Sequence, residues 1–147
     1  MRSGNTVGSS LISQGFTAPK YFHPRPSAAG RGFDATSSGG SNLGPISERL
    51  VHAVGQRILQ YRAENTLAPG ALVPADAVTA SASGLDPHIS VKNALLQASR
   101  VANSLGLEER TIRLYIERYT EGRDLGILGE PRVNVLMLNL ALDGILK

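Results

Sequence analysis

The stretch from Tyr21 to Pro45, YFHPRPSAAGRGFDATSSGGSNLGP, constrains this chain more than any other segment. Its glycines and prolines forbid a continuous helix and interrupt any strand, so the N-terminal third must be irregular. It is too varied for a flexible linker, because Tyr21, Phe22, His23, Arg25, Arg31, Phe33 and Asp34 are interspersed among the turn residues. A structureless loop of this length inside a domain is uncommon unless it binds or docks against something. The expectation is a long ordered loop, with the helical core confined to residues 46–147.

That core has the periodicity to form. Leu50, Val51, Val54, Ile58 and Tyr61 suggest one amphipathic helix starting at Pro45 or Ser47. Asn65 to Pro74 reads as a turn, Pro74-Ala75-Asp76 as one helical turn, and SASGLDPHIS as a further loop. Val91, Ala94, Leu95, Ala98, Val101, Ala102 and Leu105 define a second helix, capped by Ser90 and stopped by Gly106. Glu108 and Glu109 open a third, with an apolar face of Ile112, Tyr115, Ile116 and Tyr119. Gly122 to Gly129 interrupts the pattern. Arg132 to Val135 reads as a short strand and the rest of VNVLMLNLALDGIL as a buried helix, inside which Asn134 and Asn139 need hydrogen-bond partners. Val7 to Ile12 reads as another strand, extendable through Gln14 to Phe16. Helices outweigh strands, which predicts a single α+β domain of 147 residues, with residues 1–45 as its strand and loop region.

Composition removes several functions. With no cysteine, disulfides, thiolate catalysis and Cys-based metal sites are excluded, while cytosol and cell exterior both stay open. The net charge of +3 comes from Arg2, Lys20, Arg25 and Arg31 against Asp34 in the first 45 residues, the remainder being balanced. Four scattered cations make no basic stripe, which argues against nucleic acid as a partner. No apolar run reaches the roughly 18 residues of a membrane helix, so the chain as written is expected to be soluble.

Three constellations are candidates for chemistry. Ser38, Gly39, Gly40, Ser41 and Asn42, in the Ser37–Asn42 turn ahead of the first helix, either converge backbone N–H groups on an anion or form a tight turn in which Asn42 bonds its own backbone. The Lys-Ser/Thr ending of a phosphate-binding loop is missing. Tyr21, Phe22, His23 and Arg25 either form a recognition surface, with Arg25 reaching a carboxylate, or plug the core beneath the loop. Asp86 and His88 place a carboxylate two residues from an imidazole, but no third group completes a triad or ligand set, so no metal and no catalytic residue is assigned. Glu130-Pro131-Arg132 is open in the same way, with an internal ion pair as the plainer account.

Taken in order, GSSLISQGF, YFHPRPSA, SSGGSNLGP, VTASASGLDPHIS, RVA at Arg100 to Ala102 and LGEPRVNVLMLNLALD resemble the C subunit of the Kdp potassium-transporting ATPase. The resemblance spans Val7 to Asp143. It implies a non-catalytic accessory subunit that assembles with a potassium-translocating subunit and a P-type ATPase subunit, and acts as a catalytic chaperone raising the pump's affinity for ATP. It further implies that ATP is the nucleotide involved, and that the parent protein is held in the cell membrane by an N-terminal anchor helix with this domain on the extracytoplasmic side. That anchor is absent from the residues written here, by truncation or by natural shortening, with truncation favoured. The chain departs from the family at Pro24, where a Gly is common, and at Gly32-Phe33-Asp34, where a Tyr-Asn-Pro-like turn is usual. The alternative function is a nucleotide- or anion-binding regulatory module built on the SSGGSN turn.

Overall fold

A computed structural model describes residues 8–123 and 125–144. Four helices, α1 (Glu48–Glu64), α2 (Val91–Leu105), α3 (Glu109–Arg118) and α4 (Val135–Leu142), pack with three short strands, β1 (His88–Ser90), β2 (Thr120–Glu121) and β3 (Arg132–Asn134). The fold is α+β, as expected. The sheet order is β1-β3-β2 and both pairings are antiparallel, with His88 opposite Asn134 and Glu121 opposite Arg132.

Two strand-to-helix corners organise the domain, and each is made by one residue acting twice. Ser90 ends β1 and caps α2, its hydroxyl accepting the Asn93 N–H at 3.1 Å. Asn134 ends β3 and caps α4, accepting the Met137 N–H at 3.1 Å. Both caps satisfy one of the helix's orphaned N–H groups, so strand passes into helix without a loop. Asp76, from the single 3-10 turn Ala75–Ala77, locks the first corner by accepting from Ser90 N at 2.7 Å and Ser90 Oγ at 3.0 Å. Gly106 ends α2 in the left-handed conformation at φ 65°, where a Cβ would be strained. The core between α2, α3, α4 and the sheet contains Ala98, Val101, Ile112, Ile116, Val133 and Leu138, and one side chain from the loop, Phe22.

Three expectations are corrected. Residues 8–12 form a turn closed by Ile12 N–H on Ser9 O at 3.2 Å, and Gln14 to Phe16 is not a strand either; Val7 lies outside the described residues. The segment's contact with the SASGLDPHIS region is the Ser13 N–H on Leu85 O at 2.9 Å, an isolated bond rather than a ladder. Val51 is not on a buried face: it is 64% exposed, and within α1 the buried residue is Tyr61. Leu50 and Val51 are adjacent, and neighbours along a helix do not share a face. Finally, the last three residues of SASGLDPHIS are β1, not loop.

Candidate functional site

The loop is held by a polar line on α2. Asn93, Gln97 and Arg100 follow one another at helical spacing, so all three side chains project from one side of the helix. Gln97 makes a two-point clasp on the backbone of His23, accepting its N–H at 2.7 Å and donating to its C=O at 3.1 Å. Asn139 of α4 does the same to the preceding residue, accepting Phe22 N–H at 2.8 Å and donating to Phe22 C=O at 2.9 Å. A primary amide carries the same donor and acceptor as a peptide group, so each clasp substitutes for a strand neighbour. Arg100 donates to Tyr21 O at 2.9 Å, Gln97 Oε1 at 2.8 Å and Asn65 Oδ1 at 3.0 Å. Burial lowers its guanidinium from the ordinary value.

The four candidate residues of the YFHPR motif therefore separate. Tyr21 lies at the surface, donating to Asp143 Oδ2 at 2.8 Å and meeting the Phe16 ring edge-on at 5.2 Å. Phe22 is fully buried. His23 turns toward Glu64, with Nδ1 3.5 Å from the carboxylate and Nε2 3.3 Å from Ala18 O. Arg25 crosses to the Val78–Ser90 segment, reaching Asp86 Oδ2 at 3.2 Å, Ala80 O at 3.3 Å and Thr79 O at 3.4 Å.

Arg25 begins a chain in which basic and acidic side chains alternate. Asp86 Oδ1 faces His88 Nδ1 at 3.2 Å, His88 Nε2 faces Glu121 Oε2 at 3.3 Å, and Glu121 Oε2 accepts from Arg132 Nε at 3.1 Å. The chain joins the loop to β1, β2 and β3. It brings Arg25, Asp86 and His88 together, but each is engaged by a neighbour of the fold, and Asp86, His88 and Glu121 are not placed to hold one metal ion among the described residues. The Glu130-Pro131-Arg132 ion pair is divided: Glu130 pairs with Arg123 at 3.0 Å and Arg132 with Glu121.

The Ser37–Asn42 turn lies against Ser81–Gly84. Gly39 N–H donates to Ser83 O at 2.9 Å and Ser38 Oγ to the same oxygen at 3.0 Å. Gly84 sits at φ 68°, and a Cβ there would meet Gly39 O at 2.6 Å and Ala29 N at 2.7 Å, so glycine is what permits the approach. Two donors that an anion would need are thus turned inward. Ser41 and Asn42 are exposed, Asn42 in the left-handed region at φ 50°.

Beneath the HPRP motif lies a cleft of about 390 Å³, walled by Phe16, Pro24, Pro26 and Phe33 and floored by Arg57, Tyr61, Glu64 and Gln97. Burial, then the Asp76 charge, raises the Tyr61 hydroxyl, which donates to Asn93 Oδ1 at 2.8 Å. Arg57 donates to Val78 O at 3.0 Å. Gln97, Arg57 and Glu64 were not singled out by sequence, and Arg100 entered only as the first residue of the RVA motif. For Gln97 and Arg100 the available signal was the run of polar residues at helical spacing beside the apolar face of α2.

His23 makes the cleft sensitive to acid. Burial, reinforced by the Arg100 charge, pushes its imidazole below the ordinary value of 6.5. The unfolded chain then binds the proton more readily than the folded one, so stability rises with pH across the window from the depressed value up to about 6.5. We expect the urea midpoint to fall as pH drops below about 6.5, and the His23→Gln chain to lose that part of the dependence. Equal slopes in the two chains would remove His23 as the cause.

The architecture defines a class: a small α+β domain that pins a Gly/Pro-rich loop onto two helices through side-chain amides. Its sequence matches the family described as K+-transporting ATPase, c chain (KdpC), over residues 1–144. It is 58% identical over 142 residues to a potassium-transporting ATPase KdpC subunit of Mycobacterium tuberculosis, covering 97% of this chain and 75% of that protein. Similar proteins of the same name occur in Rhodospirillum rubrum, at 56% identity covering 97% and 73%, and in Koribacter versatilis, at 53% covering 97% and 72%. The chain belongs to the KdpC family. Among the described residues, no helix is long and apolar enough to cross a membrane.

Proposed function

We propose that the chain is a non-catalytic accessory subunit of a potassium-transporting ATPase, assembled with the potassium-translocating and ATP-hydrolysing subunits on the extracytoplasmic side of the cell membrane. In this reading it acts as a catalytic chaperone, raising the pump's affinity for ATP through contacts with its partners. The observation that carries the accessory role is the Arg25-Asp86-His88-Glu121-Arg132 chain, in which the best candidates for acid–base chemistry are engaged by one another. A general base must reach a substrate proton, and both ring nitrogens of His88 face carboxylates of the fold. The names of the relatives support the transport context.

The test is a pump purified without this subunit and then supplemented with it. Potassium-stimulated ATP hydrolysis should show a lower KM for ATP on addition, with the added chain alone hydrolysing nothing. A KM unchanged by a chain that has assembled would overturn the chaperone role.

A further inference from the structure

The cleft beneath the HPRP motif takes its floor from one face of α1. Arg57, Gln60, Tyr61 and Glu64 recur at three- and four-residue spacing, so their side chains stand in one row along the helix. Most of the charge around them is already spent. Glu64, the carboxylate that lines the cleft, accepts from Gln60 Nε2 at 2.7 Å and lies 3.5 Å from His23 Nδ1. Arg25 lines it too, with Nε, Nη1 and Nη2 given to Thr79, Asp86 and Ala80. Asp76, whose charge reaches Tyr61 of the floor, turns both oxygens to Ser90 and Asn93.

Arg57 is different. Nη1 donates to Val78 O at 3.0 Å, which anchors the group, while Nε and Nη2 have no partner in the protein among the described residues. These two N–H groups form one edge of the guanidinium, parallel and spaced for the two oxygens of a carboxylate. The residue is half-buried, so this edge belongs to the cleft wall rather than to a fully solvated side chain.

The remaining walls define the rest of the ligand. Phe16, Pro24, Pro26 and Phe33 line the cleft, and all four are half-buried. Phe33 is held there against its own backbone preference. It stands in the left-handed region at φ 56°, where a bulky residue is an outlier, and Ser27 Oγ accepts its N–H at 2.8 Å. Its ring lies so close to Gly15 that a Cβ there would meet it at 3.1 Å. Strain of this kind persists only where the surroundings enforce it, and it clusters at ligand sites. The cleft volume of about 390 Å³ lies within the range of about 300–1,000 Å³ found for small-molecule sites.

We propose that this cleft binds a small monocarboxylate with an aromatic body, its carboxylate on the Nε–Nη2 edge of Arg57 and its ring against the Phe and Pro walls. A single unspent edge suits a single negative charge. A phosphate group would bring a second charge beside Glu64, with Arg25 already engaged. The site adds a ligand to the accessory-subunit reading without resting on it.

The experiment titrates the chain with phenylacetate and follows its amide and arginine Nε–H signals by NMR. Phenylacetate should bind saturably, with a Kd of about 1 mM or below, shifting the Arg57 Nε–H and the Phe33 amide. Phenylacetamide, of the same shape but neutral, should bind about tenfold more weakly or worse, as should phenylacetate to Arg57→Gln. Arg57→Lys keeps the charge but not the fork and should fall between. Phe33→Gly removes the wall at a backbone position that glycine accepts, and should weaken binding as well. Arg113→Gln, on α3, should bind as wild type. The acid–amide comparison uses the wild-type chain, so a poorly folded Arg57→Gln leaves the test intact. No saturable shift at about 10 mM phenylacetate, equal binding of acid and amide, or shifts that map away from Arg57 and Phe33 would overturn the site. Inorganic phosphate displacing phenylacetate at equal concentration would assign the cleft to a phosphate group and overturn it likewise.

Discussion

Phe22→Ala is expected to lower the stability of this domain by about 3–5 kcal/mol, the cost of emptying a well-packed aromatic site. The side chain is fully buried and packs in the same cluster as Leu138 and Val101. The loss is a large part of the total for a single domain, about 5–15 kcal/mol. The thermal midpoint should drop by on the order of 10 °C, measured by circular dichroism. A drop of a degree or two would mean that the loop can leave the core at little cost, and that Phe22 is a surface ring rather than a plug.

Asn139→Leu should be nearly as damaging, by a different route. Leucine conserves volume and adds apolar area, so packing alone predicts little change. Yet it leaves the Phe22 N–H and C=O buried without the partners that Asn139 supplies at 2.8 and 2.9 Å. Each orphaned group costs about 1–3 kcal/mol, which sets the expected loss from the two at about 2–6 kcal/mol. Hydrogen exchange separates this cause from a packing defect: the Phe22 amide should lose protection first. Continued protection of that amide in Asn139→Leu would show that something else holds it. Both changes act on one residue, so the double variant should lose less than the sum.

The contrast between these two residues shows how far the sequence could be read. Asn139 was legible as a polar residue inside an apolar helix that must find a partner, but its partner lies 117 positions away. Phe22 was open between recognition and core for the same reason, because the direction of a ring on a loop is set by whatever clasps its backbone. The α2 helix was legible from end to end, since Ser90, the apolar spacing and Gly106 are all local signals. Strands of two or three residues carry no such periodicity, which is why β1 was hidden in a polar run and β2 was missed. Gly122 to Gly129 read only as an interruption. That its leucines and isoleucine stand in solvent depends on the pairing of β2 with β3, a relation no spacing rule expresses.

The two amide clasps also set an order in time. The Tyr21–His23 segment is synthesised early, yet its fasteners, Gln97 and Asn139, follow 74 and 117 residues later. Contacts so far apart in sequence form only after the intervening chain has been brought together, so this segment is secured only by residues made long after it. Until α4 has been made and seated, the Phe22 ring has no finished core to enter, and a nascent chain paused before that point carries an open Tyr21–His23 segment.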